Sequence, residues 1–534
     1  MSNILLTGFM ASGKSAVGRS LAERLGREFV DLDELIVSRT GMSIPDIFLQ
    51  QGEQAFRSIE NDLCREMAAQ DGLVIATGGG TLVNASNRAL FTPTSLLIRL
   101  YCSVEETLRR LDLTGAPGRP LLEVSDRRAE IDRLLAAREP AYSAIPWQID
   151  TTALSIGEIV DQIVPVARCI YLPVRHTTGQ YPIFIGNGSL NLLGAVLHAA
   201  GLSKGVRVAV VANPTVSKLY AEQVFDALSA AGYQPRSCTL PDGEAFKNLA
   251  AVENLYGQFL AHEIDRHDII LALGGGVTGD VAGFAAATYL RGLRFIQVPT
   301  TLLAMVDSSV GGKTGVDMPQ GKNLVGAFKQ PEAVIVDPTV LSTLPIEELR
   351  SGLVEAIKHG VISDPTLFES IESTAGQFEH WWGAAGAELL ARAVRVKIDV
   401  VEEDPFERGR RAALNLGHTL GHAVEQTSGY TLRHGEAVGL GMLAAAHFAQ
   451  ALGLAPAALA TRIGEVLEHC GLPVRLPALP IDSILNTILR DKKKRGNSIR
   501  WVLPIKIGQV EINQSVPHDL VEEVVQQMMI ADKP

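Results

Sequence analysis

Cysteine is scarce in this chain, and its spacing excludes two common ways of building a protein. The 534 residues contain five cysteines, and no two of them form a C-x-x-C pair. A disulfide framework and a thiolate zinc site both depend on regularly spaced thiols. Any metal ion in this protein must therefore be held by histidine and carboxylate side chains.

Long apolar runs and an excess of positive charge are also missing. No run approaches the ~20 apolar residues of a membrane span, and the chain starts with a strand and a glycine-rich turn instead of a charged leader. The net charge is −11, and the one basic run, at 490–496, is short. We therefore expect a cytoplasmic protein that binds neither membranes nor nucleic acid.

The composition and strand pattern describe an α/β protein with several domains. Hydrophobic residues make up 46% of the chain and charged residues 20%, and a prior of about 100–200 residues per domain suggests about three units. Residues 1–165 alternate short apolar strands with longer helical stretches, which is typical of a parallel sheet with crossover helices. Prolines and short β-rich pieces at 166–173 indicate a linker.

A second α/β pattern follows this linker. Strand signals within 174–340 each lead into a helical stretch, as in a nucleotide-binding α/β region. From 341 to 534 the apolar periodicity is mainly helical, with one late hairpin-like piece. The sequence thus predicts an α/β nucleotide-binding region followed by a mostly helical region.

A phosphate-binding loop is the clearest motif near the start. The segment GFMASGKS fits G-x-x-x-x-G-K-[ST] between a strand and a helix. Its glycines let backbone N–H groups face phosphate oxygens, Lys14 reaches the outer phosphates, and the Ser15 hydroxyl can ligate Mg²⁺. The ATP contacts expected from this segment and from the start of the helix after it are Gly8, Ser12, Gly13, Lys14, Ser15 and Ala16.

Residues around this loop indicate what it phosphorylates. Asp31 and Asp33 follow a short strand, Arg57 lies in a helical stretch, and three glycines occupy 78–80. Taken singly, the aspartates could cap a helix, the arginine could be a surface cation, and the glycines could form a tight turn. Together, and with the lid segment GRPLLE and the final helix, they resemble the shikimate kinase family over nearly all of residues 1–165.

The resemblance implies that this part transfers a phosphoryl group from ATP to shikimate. Asp33 would hold the substrate hydroxyls and accept the attacking proton, and Arg57 and Arg138 would clamp the carboxylate. Asp31 would join Ser15 in the Mg²⁺ shell, and Arg119 would close over ATP and the transferring group. The shikimate contacts would be Asp33, Arg57, Gly78, Gly79, Gly80 and Arg138.

Three of the twelve histidines lie within one short segment of the second half. His418 and His422 are four residues apart and share a helix face, so spacing alone pairs them, although one could be an ordinary helix histidine. His434 follows a Gly-Tyr turn. A His₂Glu set with an open position is the pattern of catalytic zinc. Carboxylates that could complete such a set are Glu355, Glu425 and Glu436.

A glycine-rich turn indicates a dinucleotide. The segment LGGGVTGD follows the strand DIILA, at a strand-to-helix turn where a pyrophosphate can approach the backbone. The region after it places Lys313, Lys322 and Lys329 near further glycine turns. These apolar-flanked lysines indicate an anionic substrate.

From about residue 174 onward the chain closely resembles 3-dehydroquinate synthase. The motifs PDGEAFKN, LGGGVTGD, VPTTLLAMVDSSVGGKTGV, GLVEAIKHG and LNLGHTLGHAVE occur in the order typical of that family. The resemblance implies conversion of DAHP, a seven-carbon sugar acid phosphate, into 3-dehydroquinate and orthophosphate. NAD⁺ would take a hydride and return it, and Zn²⁺ or Co²⁺ would polarise the substrate oxygens.

The same resemblance implies roles for individual residues. The zinc ligands would be Glu355, His418 and His434, which makes His422 a substrate-side residue. The NAD⁺ contacts would be Asp242, Glu244, Lys247, Gly275, Gly276, Asp280, Thr300, Thr301, Asp307, Lys313, Lys322 and Thr343. The DAHP contacts would be Arg291, Lys322, Asn323, Lys397, Arg411, Asn415 and one of Lys492 and Lys493. The residues nearest the chemistry would be Arg291, Lys313, Lys358 and His422.

The whole sequence therefore resembles a fusion of shikimate kinase with 3-dehydroquinate synthase, and we expect a homodimer formed through the synthase part. In one alternative the first half only senses a nucleotide, although nucleotide binding alone does not require Asp33, Arg57 or Arg138. In another, the second half is a different sugar phosphate cyclase or a polyol dehydrogenase.

Overall fold

A computed structural model describes residues 2–114, 126–380, 384–407, 409–495 and 499–529. The chain divides into two compact units. Unit 1 contains Met1–Pro173, Tyr181–Val206 and Gln223–Gln234. Unit 2 contains Val174–Gln180, Arg207–Glu222 and Pro235–Pro534.

Unit 1 begins with an alternation of strands and helices. In chain order these are β1 (Asn3–Thr7), α1 (Lys14–Leu25), β2 (Phe29–Asp31), α2 (Leu32–Thr40), α3 (Ile44–Ala68), β3 (Val74–Ala76), α4 (Ala85–Phe91), β4 (Ser95–Tyr101), α5 (Val104–Thr114), α6 (Arg127–Tyr142), β5 (Trp147–Asp150) and α7 (Ile156–Ala167). The strands form one parallel sheet in the order β2-β3-β1-β4-β5. The predicted parallel sheet with crossover helices is confirmed.

The central strand β1 explains why the loop after it is fixed. All five of its residues are buried, as expected for a parallel strand covered by helices on both faces. The loop then turns sharply, because a Cβ atom at Gly8 would lie 2.0 Å from the Leu100 carbonyl oxygen. Gly13, with φ at 94°, caps α1. Only glycine fits this close approach and this backbone conformation.

Further elements follow in the middle of the chain. They are β6 (Ile170–His176), β7 (Gly179–Ile185), α8 (Leu193–Ala199), β8 (Arg207–Ala212), α9 (Pro214–Ala230), β9 (Gln234–Thr239), α10 (Leu249–Ala261), β10 (Ile269–Gly274), α11 (Gly276–Thr288), β11 (Arg294–Pro299), β12 (Lys313–Met318), β13 (Gly321–Phe328) and β14 (Ala333–Val336). Regular structure occupies most of the predicted linker at 166–173, because α7 ends and β6 begins inside it.

The larger sheet is the framework of unit 2. Its strand order within this unit is β14-β11-β10-β8-β9. The pairs β10–β11, β10–β8 and β11–β14 are parallel. Their carboxyl ends therefore meet at one edge, where nucleotide-binding α/β sheets hold their ligand. β12 and β13 form a separate antiparallel pair.

The rest of unit 2 is mostly helical, as the sequence predicts. Its elements are α12 (Ile346–Ile362), α13 (Pro365–Thr374), α14 (Ala384–Glu403), α15 (His418–Thr427), α16 (His434–Ala451), α17 (Ala458–His469), α18 (Ile481–Arg495), β15 (Trp501–Lys506), β16 (Gln509–Gln514) and α19 (His518–Met528). β15 and β16 form the expected hairpin. None of the helices in the described part of the chain is long and apolar enough to cross a bilayer.

Helices α15 and α16 touch backbone to backbone. A Cβ atom at Gly441 would lie 1.9 Å from the Gly417 carbonyl oxygen, and one at Gly421 would lie 2.9 Å from the Ala437 carbonyl oxygen. Neither oxygen belongs to a side chain that could rotate away. The glycines thus allow α15 and α16 to pack closely, and this packing holds the first residues of the two helices, His418 and His434, near each other.

We predict that Gly441→Ala lowers the free energy of unfolding of unit 2 by about 1–3 kcal/mol, because the added methyl group forces the two helices apart. The measurement is the thermal unfolding midpoint followed by circular dichroism. Gly464→Ala in α17 is the matched control, since its Cβ would meet Leu443 Cδ1 at an ordinary 3.5 Å. Equal midpoints for the two variants would contradict the prediction.

Candidate active sites

The phosphate-binding loop between β1 and α1 is built for an anion. Lys14 Nζ donates to the carbonyl oxygens of Gly8 and Phe9, at 3.0 Å each. The first N–H groups of α1 lie at the same place, where the helix dipole is positive. Ser12 is buried and Ala16 lies in the first turn of α1. A phosphate group here would meet both a cation and backbone donors.

Asp31 serves two purposes. Its Oδ1 accepts from the backbone N–H groups of Asp33 and Glu34, at 3.0 and 3.4 Å, so it does cap α2. Its Oδ2 accepts from the Ser15 hydroxyl at 2.6 Å. The two oxygens that the sequence assigns to Mg²⁺ are therefore adjacent, and hard oxygen ligands are what this ion prefers.

Asp33, Arg57 and Arg138 meet at the turn formed by 78–80. A Cβ atom at Gly78 would lie 2.8 Å from Asp33 Oδ1, and one at Gly80 would lie 3.1 Å from Arg57 Nη1. Arg138 Nη1 donates to the Gly79 carbonyl oxygen at 3.3 Å. Glycine is needed at this turn because a side chain would displace these three charged groups.

The carboxyl of Asp33 has an unusual environment. Its burial and the neighbouring Asp31 carboxylate raise its pKa to about 6, against the weaker opposite effects of Lys14 and Arg57. A carboxylate with this pKa is a stronger base than an ordinary aspartate, yet is still ionised at neutral pH.

Glu60 is a residue of this site that the sequence analysis missed. It is 2% exposed, accepts from Arg57 Nη1 at 2.8 Å, and accepts from the Thr81 hydroxyl at 2.6 Å. It fixes the guanidinium of Arg57 beside the glycine turn. Its position three residues after Arg57 on a helix was an available signal. Arg119 lies outside the described residues.

Three helices of unit 2 bring together the predicted zinc ligands. Glu355 comes from α12, His418 is the first residue of α15, and His434 is the first residue of α16. Their ligand atoms all lie within 4.8 Å of one another. The two histidine Nε2 atoms are each 3.9 Å from Glu355 Oε1.

The Glu355 carboxylate has an environment that suits a metal ligand. Its side chain is 1% exposed, and neither of its oxygens has a hydrogen-bond partner among the described residues. Lys358 Nζ lies 2.5 Å from Oε2 and balances charge without hydrogen-bond geometry. Buried charges are normally both paired and hydrogen-bonded. A divalent cation bound by Glu355, His418 and His434 would give this carboxylate a partner beside the two histidine Nε2 atoms.

His418 is held in the form that a metal requires. Its Nδ1 donates to the Leu416 carbonyl oxygen at 3.2 Å, so its Nε2 carries the lone pair that faces Glu355. Burial and the Lys358 ammonium lower its pKa well below the ordinary value. The imidazole is therefore neutral and able to coordinate.

The pairing of His418 with His422 that spacing favours does not form a ligand group. Their ring centroids are 5.2 Å apart, but no cluster of ligand atoms within the described residues contains both. His422 instead groups with Glu425 and His434. The Glu436 carboxylate accepts from the Arg433 N–H at 2.9 Å and so caps α16.

A cavity of about 640 Å³ lies beside these ligands. Four cations among the described residues line it, which suits a substrate with both a carboxylate and a phosphate. Nine of the predicted site residues face this space: Asp280, Asp307, Lys313, Asn323, Lys358, Lys397, Arg411, Asn415 and His418.

Ion pairs join the acidic and basic side chains around the cavity. Asp307 pairs with Lys397, and Lys247 Nζ lies 2.7 Å from Asp280. Burial would raise the pKa of Asp307, but the cations of Lys397 and Lys358 outweigh it and hold that pKa well below its ordinary value. Burial raises the pKa of Asp280 to about 6. The lysine side chains are therefore positioned by carboxylates before any substrate arrives.

Two further residues of this region were missed. Glu407 lines the cavity, pairs with Lys313 at 2.5 Å and accepts from Asn415 Nδ2 at 3.1 Å. It comes from a loop with no periodic pattern, so no spacing signal pointed to it. His359 is fully buried, neither ring nitrogen has a hydrogen-bond partner in the described part, and burial lowers its pKa to about 4.

Several of the predicted NAD⁺ residues lie just after the carboxyl ends of strands in the larger sheet. Gly275 and Gly276 start α11 after β10, and a Cβ atom at Gly275 would lie 3.1 Å from Thr301 Cγ2. Thr300 follows β11. Three more of the predicted NAD⁺ residues make side-chain contacts within the protein. Asp242 contacts Asn213 and Thr215, Glu244 contacts Lys322, and Thr343 contacts Tyr220.

Some predicted substrate residues are not brought to the cavity. Arg291 is exposed, has a φ of 68°, and is not among the described residues that line the cavity. Lys322 contacts Glu425 at 3.2 Å instead. The side chains of Lys492 and Lys493 lie outside the described part of the structure.

Comparison with protein families supports both halves. Residues 10–168 match the model for shikimate kinase. Residues 237–351 match 3-dehydroquinate synthase N-terminal, and residues 352–494 match 3-dehydroquinate synthase C-terminal.

Curated relatives and solved structures agree with the second assignment. The 3-dehydroquinate synthase of Nostoc punctiforme is 46% identical over 353 residues, which cover 65% of this chain and 97% of that protein. That of a second Nostoc strain is 47% identical over 359 residues, covering 66% and 98%. The 2-epi-5-epi-valiolone synthase of Streptomyces hygroscopicus, solved with NAD⁺ and Zn²⁺ bound, is 28% identical. It covers 66% of this chain and 98% of its own, with a TM-score of 0.61.

These matches account for the two sites described above. The kinase model begins within the phosphate loop and includes the glycine turn at 78–80, and the synthase models span the cavity and the three converging ligands. The chain belongs to the 3-dehydroquinate synthase family, and it carries a shikimate kinase domain ahead of the synthase.

Proposed function

We propose that this protein catalyses two reactions of chorismate and aromatic amino acid biosynthesis. Unit 1 phosphorylates shikimate with ATP, and unit 2 converts DAHP into 3-dehydroquinate and orthophosphate. The observation that carries the synthase assignment is the buried Glu355 carboxylate, which faces two histidine Nε2 atoms beside a cavity lined by cations.

In the synthase, charged side chains bind and orient the substrate. Lys313, Lys397 and Arg411 supply the positive charge for the carboxylate and the phosphate of DAHP. As the phosphate leaves, these cations stabilise the negative charge on its oxygens. Asn415 and Asn323, which also line the cavity, are suited to hydrogen bonds with the substrate hydroxyls.

Two bound groups supply chemistry that side chains lack. A Zn²⁺ or Co²⁺ ion held by Glu355, His418 and His434 would polarise a substrate oxygen. NAD⁺, along the carboxyl edge of the sheet, would accept a hydride and give it back. The valiolone synthase that is similar in fold was solved with NAD⁺ and Zn²⁺, which supports this cofactor pair.

In the kinase, the loop and the glycine turn orient the two substrates. Lys14 and the N-terminal N–H groups of α1 hold the ATP phosphates, and Ser15 and Asp31 offer the oxygens for Mg²⁺. Arg57 and Arg138 clamp the shikimate carboxylate, while Asp33 accepts the proton of the attacking hydroxyl.

The domain bounds, the homodimer and the cytoplasmic location remain predictions.

For the synthase, we predict that orthophosphate release from DAHP with catalytic NAD⁺ stops after chelation and returns when Zn²⁺ is restored. Glu355→Gln should lower kcat/KM by about 10³-fold or more, since Lewis-acid stabilisation is worth several kcal/mol. Glu388→Gln, at an exposed site on α14, is the control and should have no effect.

Two results would contradict this assignment. Phosphate release that is unaffected by chelation would remove the metal from the reaction. Accumulation of NADH during turnover would indicate a polyol dehydrogenase, because the synthase returns the hydride to its substrate.

For the kinase, we predict that kcat/KM for shikimate falls about tenfold per pH unit below about 6 and is level above it. The rate falls on the acid side because Asp33 must be deprotonated to accept the proton. Burial raises the pKa of Asp33 to about 6, so its carboxylate is protonated below that pH. Asp33→Asn should lower the rate by about 10²–10⁴-fold and remove this acid limb.

The measurement is ADP release coupled to shikimate consumption, across pH. Asp62→Asn is the control, because Asp62 is an exposed carboxylate paired with Arg65. A protein that binds ATP but shows no phosphorylation of shikimate at any pH would instead support a nucleotide-sensing module.

A further inference from the structure

His434 presents its two ring nitrogens to two different carboxylates. Its Nε2 is 3.9 Å from Glu355 Oε1, on the side of the three converging ligands. Its Nδ1 is 3.4 Å from Glu425 Oε2 on the opposite side. Glu355 therefore lies on the Nε2 side of this imidazole, and Glu425 lies on its Nδ1 side.

Glu425 is held from more than one direction. It belongs to α15, the helix that starts with His418, and its side chain is 10% exposed. Its Oε1 accepts from Lys322 Nζ at 3.2 Å, while Oε2 faces His434. The Lys322 ammonium in turn lies 4.8 Å from the centroid of the Tyr430 ring. The Glu425 carboxylate is thus a fixed acceptor and not a mobile surface group.

A fixed carboxylate at Nδ1 decides which nitrogen of His434 carries the proton. An ionised carboxylate can only accept, so Nδ1 must be the donor, and the lone pair of the neutral ring is then on Nε2. The Leu416 carbonyl oxygen acts in the same way on His418. Both histidines consequently direct a bare Nε2 toward Glu355.

We propose that Glu425 is a positioning residue for the metal site, which fixes the tautomer and the ring orientation of His434. This inference rests on the proposed synthase function, because that function places a metal ion on Glu355, His418 and His434. Carboxylates that orient a ligating histidine in this way raise both the affinity and the geometric definition of a metal site.

Glu425 could itself be a ligand, since Glu425, His422 and His434 also form a compact group of ligand atoms. The contacts favour the positioning role. Both Glu425 oxygens already accept from nitrogen donors, whereas neither Glu355 oxygen has a hydrogen-bond partner in the described part of the chain. His422 is also exposed, whereas His418 and His434 are each only partly accessible.

The test is a Co²⁺ titration of the chelated full-length protein, with the visible d–d spectrum as the readout and no substrate present. Wild type should bind one Co²⁺ per chain at this site. Glu425→Ala should weaken the Co²⁺ dissociation constant about 10–100-fold, the range typical of lost orienting partners. The band positions should stay unchanged, because the three ligands are the same.

Two further variants separate positioning from general disruption. Glu425→Gln keeps an oxygen that can accept from Nδ1 and should retain most of the affinity. Glu425→Leu fills the same space without an acceptor and should match Glu425→Ala, so it carries the test if the alanine variant does not fold. Glu348→Gln is the control for charge, because Glu348 pairs with the neighbouring Arg433 and not with His434.

Three other outcomes of the Co²⁺ titration would overturn the proposal. Wild-type affinity in both Glu425→Ala and Glu425→Leu would overturn the positioning role while the synthase assignment stands. Shifted d–d bands in these variants would overturn it by showing Glu425 to be a ligand. Failure of wild type itself to bind Co²⁺ would overturn both the inference and the metal-dependent function on which it rests.

Discussion

The buried carboxylate of Glu355 is the constraint on which unit 2 depends. A charge without hydrogen bonds in the interior is costly, so the fold must deliver compensating groups to this one position. It does so with an ammonium one helical turn away on α12 and with histidines at the first positions of α15 and α16. The glycine contacts between α15 and α16 let these helices approach closely enough for both imidazoles to face the same oxygen.

Charge balance organises the cavity next to this carboxylate. The lysines that suit an anionic substrate are each held by an acid: Lys397 by Asp307, Lys313 by Glu407 and Lys358 by Glu355. This arrangement fixes long, flexible side chains before binding and so lowers the entropy lost when the substrate arrives. The acids that pair with the cations are therefore as much a part of the site as the cations.

Features that lie within one short segment of the chain were predicted well from the sequence. The phosphate loop, the glycine turn at 78–80 and the glycine-rich start of α11 are each a single segment, and each lies where strand meets helix as expected. Spacing failed where the site joins distant segments. It paired His418 with His422 because they share a helix face, whereas the ligand atoms that converge come from three helices. Glu407 was missed because it lies in a loop, where an acid that orients a cation leaves no motif. Glu60 was missed although its position three residues after Arg57 on a helix was a usable signal.

The two active sites use the chain in different ways. The described kinase residues all lie within Met1–Pro173, and the described synthase residues all lie within unit 2. Among the described residues, none of those assigned to one site comes from the other unit. Because the two proposed reactions are not consecutive, no common intermediate needs to pass between the sites either. Neither the described site geometry nor substrate transfer thus calls for the fusion, whose direct consequence is that the two activities are made in a one-to-one ratio.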